Sequence, residues 1–194
     1  IVNINSHIPR RYKMTHFALN NLEYDKNNLK NIYENMEWPD GWEMYGEKPF
    51  NAIYVKNVNA ELIDDILSNF KPGIINNNNI KFQKMLAGGG AATHTDTRNV
   101  AILIPVIYDS NHYMNIHNDT IFDGTNDDIG IKLYTGDISD TVTVTYPHVL
   151  NTNVPHSYSI DSAVNNICLS LGVDDYYDDF EKIKEMYENN ELLI

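Results

Sequence analysis

The sequence predicts a mainly β domain, a barrel or sandwich with flanking helices. Three observations carry that prediction. Between residues 80 and 173, short apolar or alternating runs recur between Gly, Asn, Asp and Pro, the punctuation of an all-β domain. One of these runs, Val100 to Ile107, is apolar on both faces, as expected of a strand buried between two layers. Helical periodicity, by contrast, is confined to the stretches before residue 80 and after residue 173.

At 194 residues the chain is long enough for one well-filled core, and we expect a single domain. Its parts are a helical N-terminal elaboration over 1–79, a β core over 80–173 and a C-terminal helix over 174–194. Asp and Glu number 27 against 14 Lys and Arg, a formal charge of −13. Phosphate backbones are held by clustered Lys and Arg, and only Arg10, Arg11 and Lys13 cluster here, so a nucleic-acid partner is not expected. No apolar run approaches the roughly 18 residues of a membrane span. No charged-then-apolar leader opens the chain, and the expected setting is cytoplasmic, in a bacterial host or phage-encoded. The lone Cys168 has no partner for an internal disulfide, and inside an apolar strand it is expected to be a buried, inert thiol.

Taken in order, residues 15–38 place Leu22, Leu29, Ile32, Tyr33 and Met36 at helical spacing, with an Asn-rich polar face that leaves the helix dependent on packing. Trp38-Pro39-Asp40-Gly41-Trp42 reads as a turn whose indoles pin it to the core or, second in rank, form a substrate lid. Asn51 to Val55 is a short strand. Asn59 caps a helix with Leu62, Ile63, Ile66, Leu67 and Phe70 along one stripe, ended by Pro72-Gly73. Residues 76–79 read as a polar loop.

Ile80 to Leu86 opens the strands, and Gly88-Gly89-Gly90 links it to the segment around His94. The glycines lack a Gly-Lys-Ser/Thr ending and a following helix, so they are not a phosphate loop. Their expected role is a tight backbone turn that leaves room beside a site. Pro105 implies an edge, a bulge or a strand end. Residues 112–117 form a strand with His112 and His117 on opposite faces, both expected at the surface. Asp123-Gly124, residues 126–128 and Thr135-Gly136-Asp137 mark turns around a strand over 129–134, and residues 141–146 alternate strongly as another. Acids then open a last helix with Phe180, Ile183 and Tyr187 on one side.

The chemistry gathers at Thr93-His94-Thr95-Asp96-Thr97, between the glycine run and the Val100 strand. In extended backbone His94 and Asp96 project from one face, because side chains alternate with a period of two. An imidazole beside a carboxylate suits a divalent transition metal. A second His would complete a two-His, one-carboxylate set with open positions, the arrangement for non-haem Fe(II) oxygen chemistry. His156, within Leu150-Asn151-Thr152-Asn153-Val154-Pro155-His156-Ser157, is the first candidate, and His148, eight residues earlier, is the second.

Together the strand, the glycine link, His-x-Asp, an apolar strand ending Ile104-Pro105-Val106, the Leu-Asn-Thr-x-x-Pro-His-Ser run and a last strand over 167–172 resemble the Fe(II)/2-oxoglutarate-dependent oxygenase superfamily. The likeness is to its small phage and bacterial members and to its aspartyl/asparaginyl- and prolyl-hydroxylase-like branches, over roughly residues 80–173. It implies a double-stranded β-helix (a jelly roll, cupin-like) with His94, Asp96 and His156 as catalytic metal ligands. It further implies Fe(II) as cofactor, 2-oxoglutarate as co-substrate and a small-molecule or peptide substrate. Asn151 and Thr152 are then candidates to support His156, though as turn formers they are equally explained by structure.

In most of that family an Arg opens the last strand, about ten residues after the second His, and holds the distal carboxylate of 2-oxoglutarate. Here Asn165-Asn166 stands there, and an Asn166 facing the co-substrate cannot offer the charge-assisted fork of Arg. Arg98, on the ligand face if the strand stays regular, is the candidate to take over, and it suits a surface ion pair equally well. Lys132 and Lys84 rank behind it. Two further readings stay open: a cupin-type metal-binding protein that uses no 2-oxoglutarate, and a relative kept as a binding or structural module.

Overall fold

The computed structural model describes residues 14–44, 50–108, 112–126, 130–160 and 165–194; Arg10 to Lys13 and the Asp127-Asp128 turn lie outside the described residues. The elements are β1 (His16–Ala18), α1 (Lys26–Glu34), β2 (Glu43–Met44), β3 (Phe50–Asn57), α2 (Asp64–Leu67), β4 (Ile75–Thr95), β5 (Val100–Ile107), β6 (His112–Asn126), β7 (Ile131–Thr143), β8 (His148–Asn151), β9 (His156–Ile160), β10 (Asn166–Val173) and α3 (Phe180–Glu188). All strand pairings among them are antiparallel. The expectation of a mainly β fold with few helices holds.

β4 is the spine. Its first half lies between β10 and β3 in a sheet that continues through β5 and β8 to β1. Past the glycines its last residues pair instead with β7 and β9, which flank β6. Gly88 takes φ +71°, a conformation that side chains rarely adopt, and a Cβ on Gly90 would stand 2.6 Å from the Tyr158 carbonyl oxygen of β9. The glycines therefore let one strand bend between two sheets and approach a neighbour's backbone.

β5 and β10 divide their side chains between two apolar layers. Ile102, Ile104, Leu169 and Leu171 face Leu29, Ile63, Ile66, Phe70, Phe180 and Ile183 from the helical segments. Leu103 and Cys168 face Met114, Ile116, Val142 and Val144 on the opposite side. The double burial expected of Val100 to Ile107 follows from this sandwiching, and the ladder shifts register opposite Pro105, where its missing N–H breaks the pairing.

Several expectations need correction. The helix over 15–38 starts only at Lys26, where the Asp25 carboxylate accepts from the Asn27 and Asn28 amides; Phe17 instead pairs with Val149 as part of β1. Asn59 does cap, but it opens a 3-10 turn (Ala60–Ile63) ahead of α2, and that tighter winding leaves Leu62 exposed. Residues 76–79 belong to β4, not to a loop. Asp123-Gly124 and Thr135–Asp137 are not turns but parts of the long β6–β7 hairpin, where repeated register shifts absorb the turn-type residues. His117 is buried, with its ring bonded to Ser157 Oγ and the Gly136 carbonyl, rather than at the surface. The acids ahead of α3 act as expected: Asp179 accepts from the Lys182 amide as N-cap.

Candidate metal centre

His94 near the end of β4 and His156 at the start of β9 are direct cross-strand partners. Opposed residues of antiparallel strands share a face at close Cβ spacing, and the two ring centroids lie 4.4 Å apart. Each ring is set by its own backbone. His94 Nδ1 donates to the Ala92 carbonyl at 2.7 Å and His156 Nδ1 donates to the Val154 carbonyl at 2.9 Å. A carbonyl can only accept, so both Nδ1 atoms carry hydrogen, and a neutral ring then holds its lone pair on Nε2. Both Nε2 atoms turn to one carboxylate oxygen, Asp96 Oδ1, at 3.4 Å for His94 and 3.8 Å for His156. One ligand atom from each of the three residues lies within 4.8 Å of the others. Two imidazole nitrogens and a carboxylate oxygen converging in a buried site are a donor set fitted to iron.

Asp96 follows the last residue of β4 and is held by the loop rather than by the ladder. Its amide donates to the Thr152 carbonyl, the Thr152 hydroxyl donates to the Arg98 carbonyl at 2.7 Å, and the Thr152 amide donates to the Asn99 carbonyl. The Asp178 carboxylate, from the C-terminal segment, accepts from the amides of Asn99 and Val100. The short connection between β4 and β5 is thus clamped from both sides. No local pattern announces Asp178, which lies far along the chain.

Burial raises the Asp96 carboxyl, but pairing with His94 and the charges of His156 and Arg98 outweigh it and hold the group well below the usual carboxylate range. Burial, and then the neighbouring His94, lower His156 to about 4, so its ring is neutral near pH 7. Arg98 Nε donates to Asp96 Oδ2 at 3.4 Å, leaving Oδ1 to the imidazoles, and Arg98 Nη2 donates to Ser170 Oγ at 3.1 Å. Arg98 is half-buried there, against Asp96 and Ser170.

A cavity of about 330 Å³ is lined by His94, Asp96 and Arg98, with His156 behind His94 and outside the lining. Its apolar wall includes Ile53, Met85, Leu103 and Tyr158, with Cys168, Asn166 and Ser170 from β10. Burial pushes the Cys168 thiol up to about 12, as expected of an inert thiol, and raises the Tyr158 phenol well above its ordinary value. Tyr158 follows His156 at period two, with its ring edge-on at 5.6 Å, a residue the sequence reading passed over although the same alternation would have found it.

The remaining candidates divide. Asn166 is buried and lines the cavity, and Thr152 is buried and braces the loop that bears Asp96. Asn151 lies away from the cavity and closes a turn, its side chain accepting from the Asn153 amide. Lys132 pairs opposite Thr95 in the ladder, yet its side chain is exposed and does not line the cavity. Lys84 is buried on the opposite face of β4, its ammonium 3.7 Å from the Trp38 ring. Lys81, which the sequence reading did not consider, faces the cavity instead. His148 bonds to the Tyr146 carbonyl in β8 and is not one of the converging residues. Trp38 and Trp42 pack on each other and lie outside the cavity lining, and Trp42 rests on the helical core.

No protein-family model matches the sequence, and no curated protein matches it. Solved structures match it in shape. The epimerase SnoN, determined with Fe3+, alpha ketoglutarate and nogalamycin RO, aligns with a TM-score of 0.50 at 9% identity over 81% of this chain and 77% of that one. The fold is a double-stranded β-helix. E. coli ycfD aligns with a TM-score of 0.49 at 14% identity over 97% of this chain, which spans only 57% of that protein's length. A prolyl hydroxylase from Trichoplax adhaerens, solved with a hypoxia inducible factor peptide fragment, aligns with a TM-score of 0.49 at 11% identity over 84% of this chain and 85% of that one. At these identities the likeness is one of fold; the buried His-Asp-His convergence is read from this chain's own residues. Among the described residues no helix is long and apolar enough to cross a membrane.

Proposed function

We propose that the protein is an Fe(II)- and 2-oxoglutarate-dependent oxygenase that hydroxylates a small molecule or a peptide side chain. The observation that carries this reading is the pair of imidazoles whose Nδ1 hydrogens are tied to backbone carbonyls while both Nε2 atoms turn to Asp96 Oδ1 at the wall of a cavity. His94, Asp96 and His156 would hold the iron, which supplies oxygen activation coupled to decarboxylation of 2-oxoglutarate to succinate. The chain's own contributions are orientation and exclusion of water. The Ala92 and Val154 carbonyls fix the two rings, Arg98 fixes the carboxylate through Oδ2, and Thr152 and Asp178 fix the loop that bears it. Ile53, Met85, Leu103 and Tyr158 keep bulk water from the reacting centre.

Purified protein supplied with Fe(II), ascorbate and 2-oxoglutarate should release succinate slowly even without a substrate. No succinate, together with no 2-oxoglutarate binding by calorimetry, removes this reading. Asn166 at the position where an Arg is usual favours a second reading, a cupin-type metal-binding protein that uses no 2-oxoglutarate. Tight metal in a sample that binds no 2-oxoglutarate selects that one.

A further inference from the structure

Lys81 lines the cavity, and no acid among the described residues meets it. It lies on the first half of β4, where Gln83 and Met85 also face the cavity, while Phe82 and Lys84 face the aromatic and helical side. Lys84 has the Trp38 ring, but among the described residues Lys81 has no hydrogen bond, ion pair or ring contact. In a chain with 27 acids against 14 basic residues, an unmatched, half-buried ammonium on a cavity wall is a selective feature. Isolated charges in clefts favour ligands of opposite sign.

Its surroundings suit a carboxylate. Across the β4–β10 ladder Lys81 stands opposite Ser170, and Ser170 Oγ accepts from Arg98 Nη2 at 3.1 Å. Lysine and arginine thus flank one hydroxyl-bearing residue, and the amide-bearing Asn79 lines the same end. Arg98 is itself engaged with Asp96, so it connects this end of the cavity to the three converging residues. Asn166 lies elsewhere: it pairs with Met85, four residues along β10 from Ser170, or roughly 13 Å at about 3.3 Å per residue.

We infer that the Lys81–Ser170 rung is the subsite for the distal carboxylate of a dicarboxylic 2-oxo acid, with Arg98 as a positioning residue between that subsite and Asp96. The inference rests on the proposed function. It moves the anion contact from the start of β10, where the sequence resemblance directs attention, to the middle of the β4–β10 ladder. Lys81 then selects a dicarboxylate over a monocarboxylate that chelates equally well.

The test is calorimetry on the full chain loaded with Mn(II), using 2-oxoglutarate and 2-oxobutyrate, which share a chelating head and differ in the distal carboxylate. Wild type should bind 2-oxoglutarate at least tenfold more tightly than 2-oxobutyrate. Lys81→Met should remove that preference with Mn(II) and 2-oxobutyrate affinities unchanged, and Lys81→Arg should restore most of it. Arg98→Met should weaken Mn(II) and both acids together and leave their ratio intact. A wild type that binds the two acids equally overturns the inference without recourse to any variant, as does a Lys81→Met protein that keeps the preference; in both outcomes the proposed function stands. A wild type that takes up Mn(II) but neither acid overturns the proposed function as well.

Discussion

The His156 ring is neutral because burial, and then the neighbouring His94, lower its pKa to about 4. In the unfolded chain the group returns to about 6.5. Between those values the unfolded state binds the extra proton, so the stability of the metal-free protein should be flat above neutrality and fall as pH drops from 6.5 towards 4. His148 pulls the same way, since burial lowers it too. Thermal melts in chelator across that range measure the slope, and His156→Gln should make it shallower; an unchanged slope would place the effect in other groups. At this scale the sequence was most readable where alternation links near neighbours, as between His94 and Asp96, or where a distinctive run surrounds a residue, as around His156. It was unreadable where facing depends on a distant partner. Whether Lys81, Lys84 or Lys132 looks inward is decided by the pairings of β4 and β7, which no single stretch of sequence states.

Among the elements, β4 shows why certain glycines cannot be replaced. A side chain at Gly90 meets the Tyr158 carbonyl oxygen at 2.6 Å, and neither backbone can swing aside as a flexible side chain would. Gly90→Ala should push β9 away from β4, separating His94 from His156. The expected result is a loss of roughly 1–3 kcal/mol, the usual cost of overpacking, accompanied by weaker Mn(II) binding. Lost stability with undiminished metal affinity would show that the strands give way elsewhere. The Asn59 cap and the acids before α3 were legible because such side chains bond their own next amides, a purely local event. β1 was not, because three residues carry no period, and the strand exists only as the neighbour of β8. The turn-type residues of the β6–β7 hairpin misled for the opposite reason: their local preference yields to a ladder that takes them in as bulges.

For the molecule as a whole, binding at the three converging residues should appear as stability. Mn(II) at about a hundred times its dissociation constant adds about 2.7 kcal/mol, which for a domain of this size raises Tm by roughly 5–10 °C. His94→Ala should abolish that rise, and a rise that persists would locate the ion somewhere else. The layered plan was legible as soon as β5 was seen to be apolar on both faces, because only a strand between two apolar layers needs that composition. The closing of the second group of strands on β4 was not, because it depends on the bend at the glycines.

That bend has a consequence for which ligands the cavity accepts. Thirteen positions separate Lys81 from His94, an odd number, yet both face inward. Strict alternation would turn one of them out, so the irregular stretch around Gly88 and the register shift between Ala91 and His94 act together as a phase change. With that irregularity retained, deleting a single residue there would rotate one group away from the other. Deleting two, again with the irregularity retained, would keep both inward and shorten the gap between them, so under the proposed carboxylate subsite the length of this glycine joint would gauge how long an acid can span from His94 to Lys81.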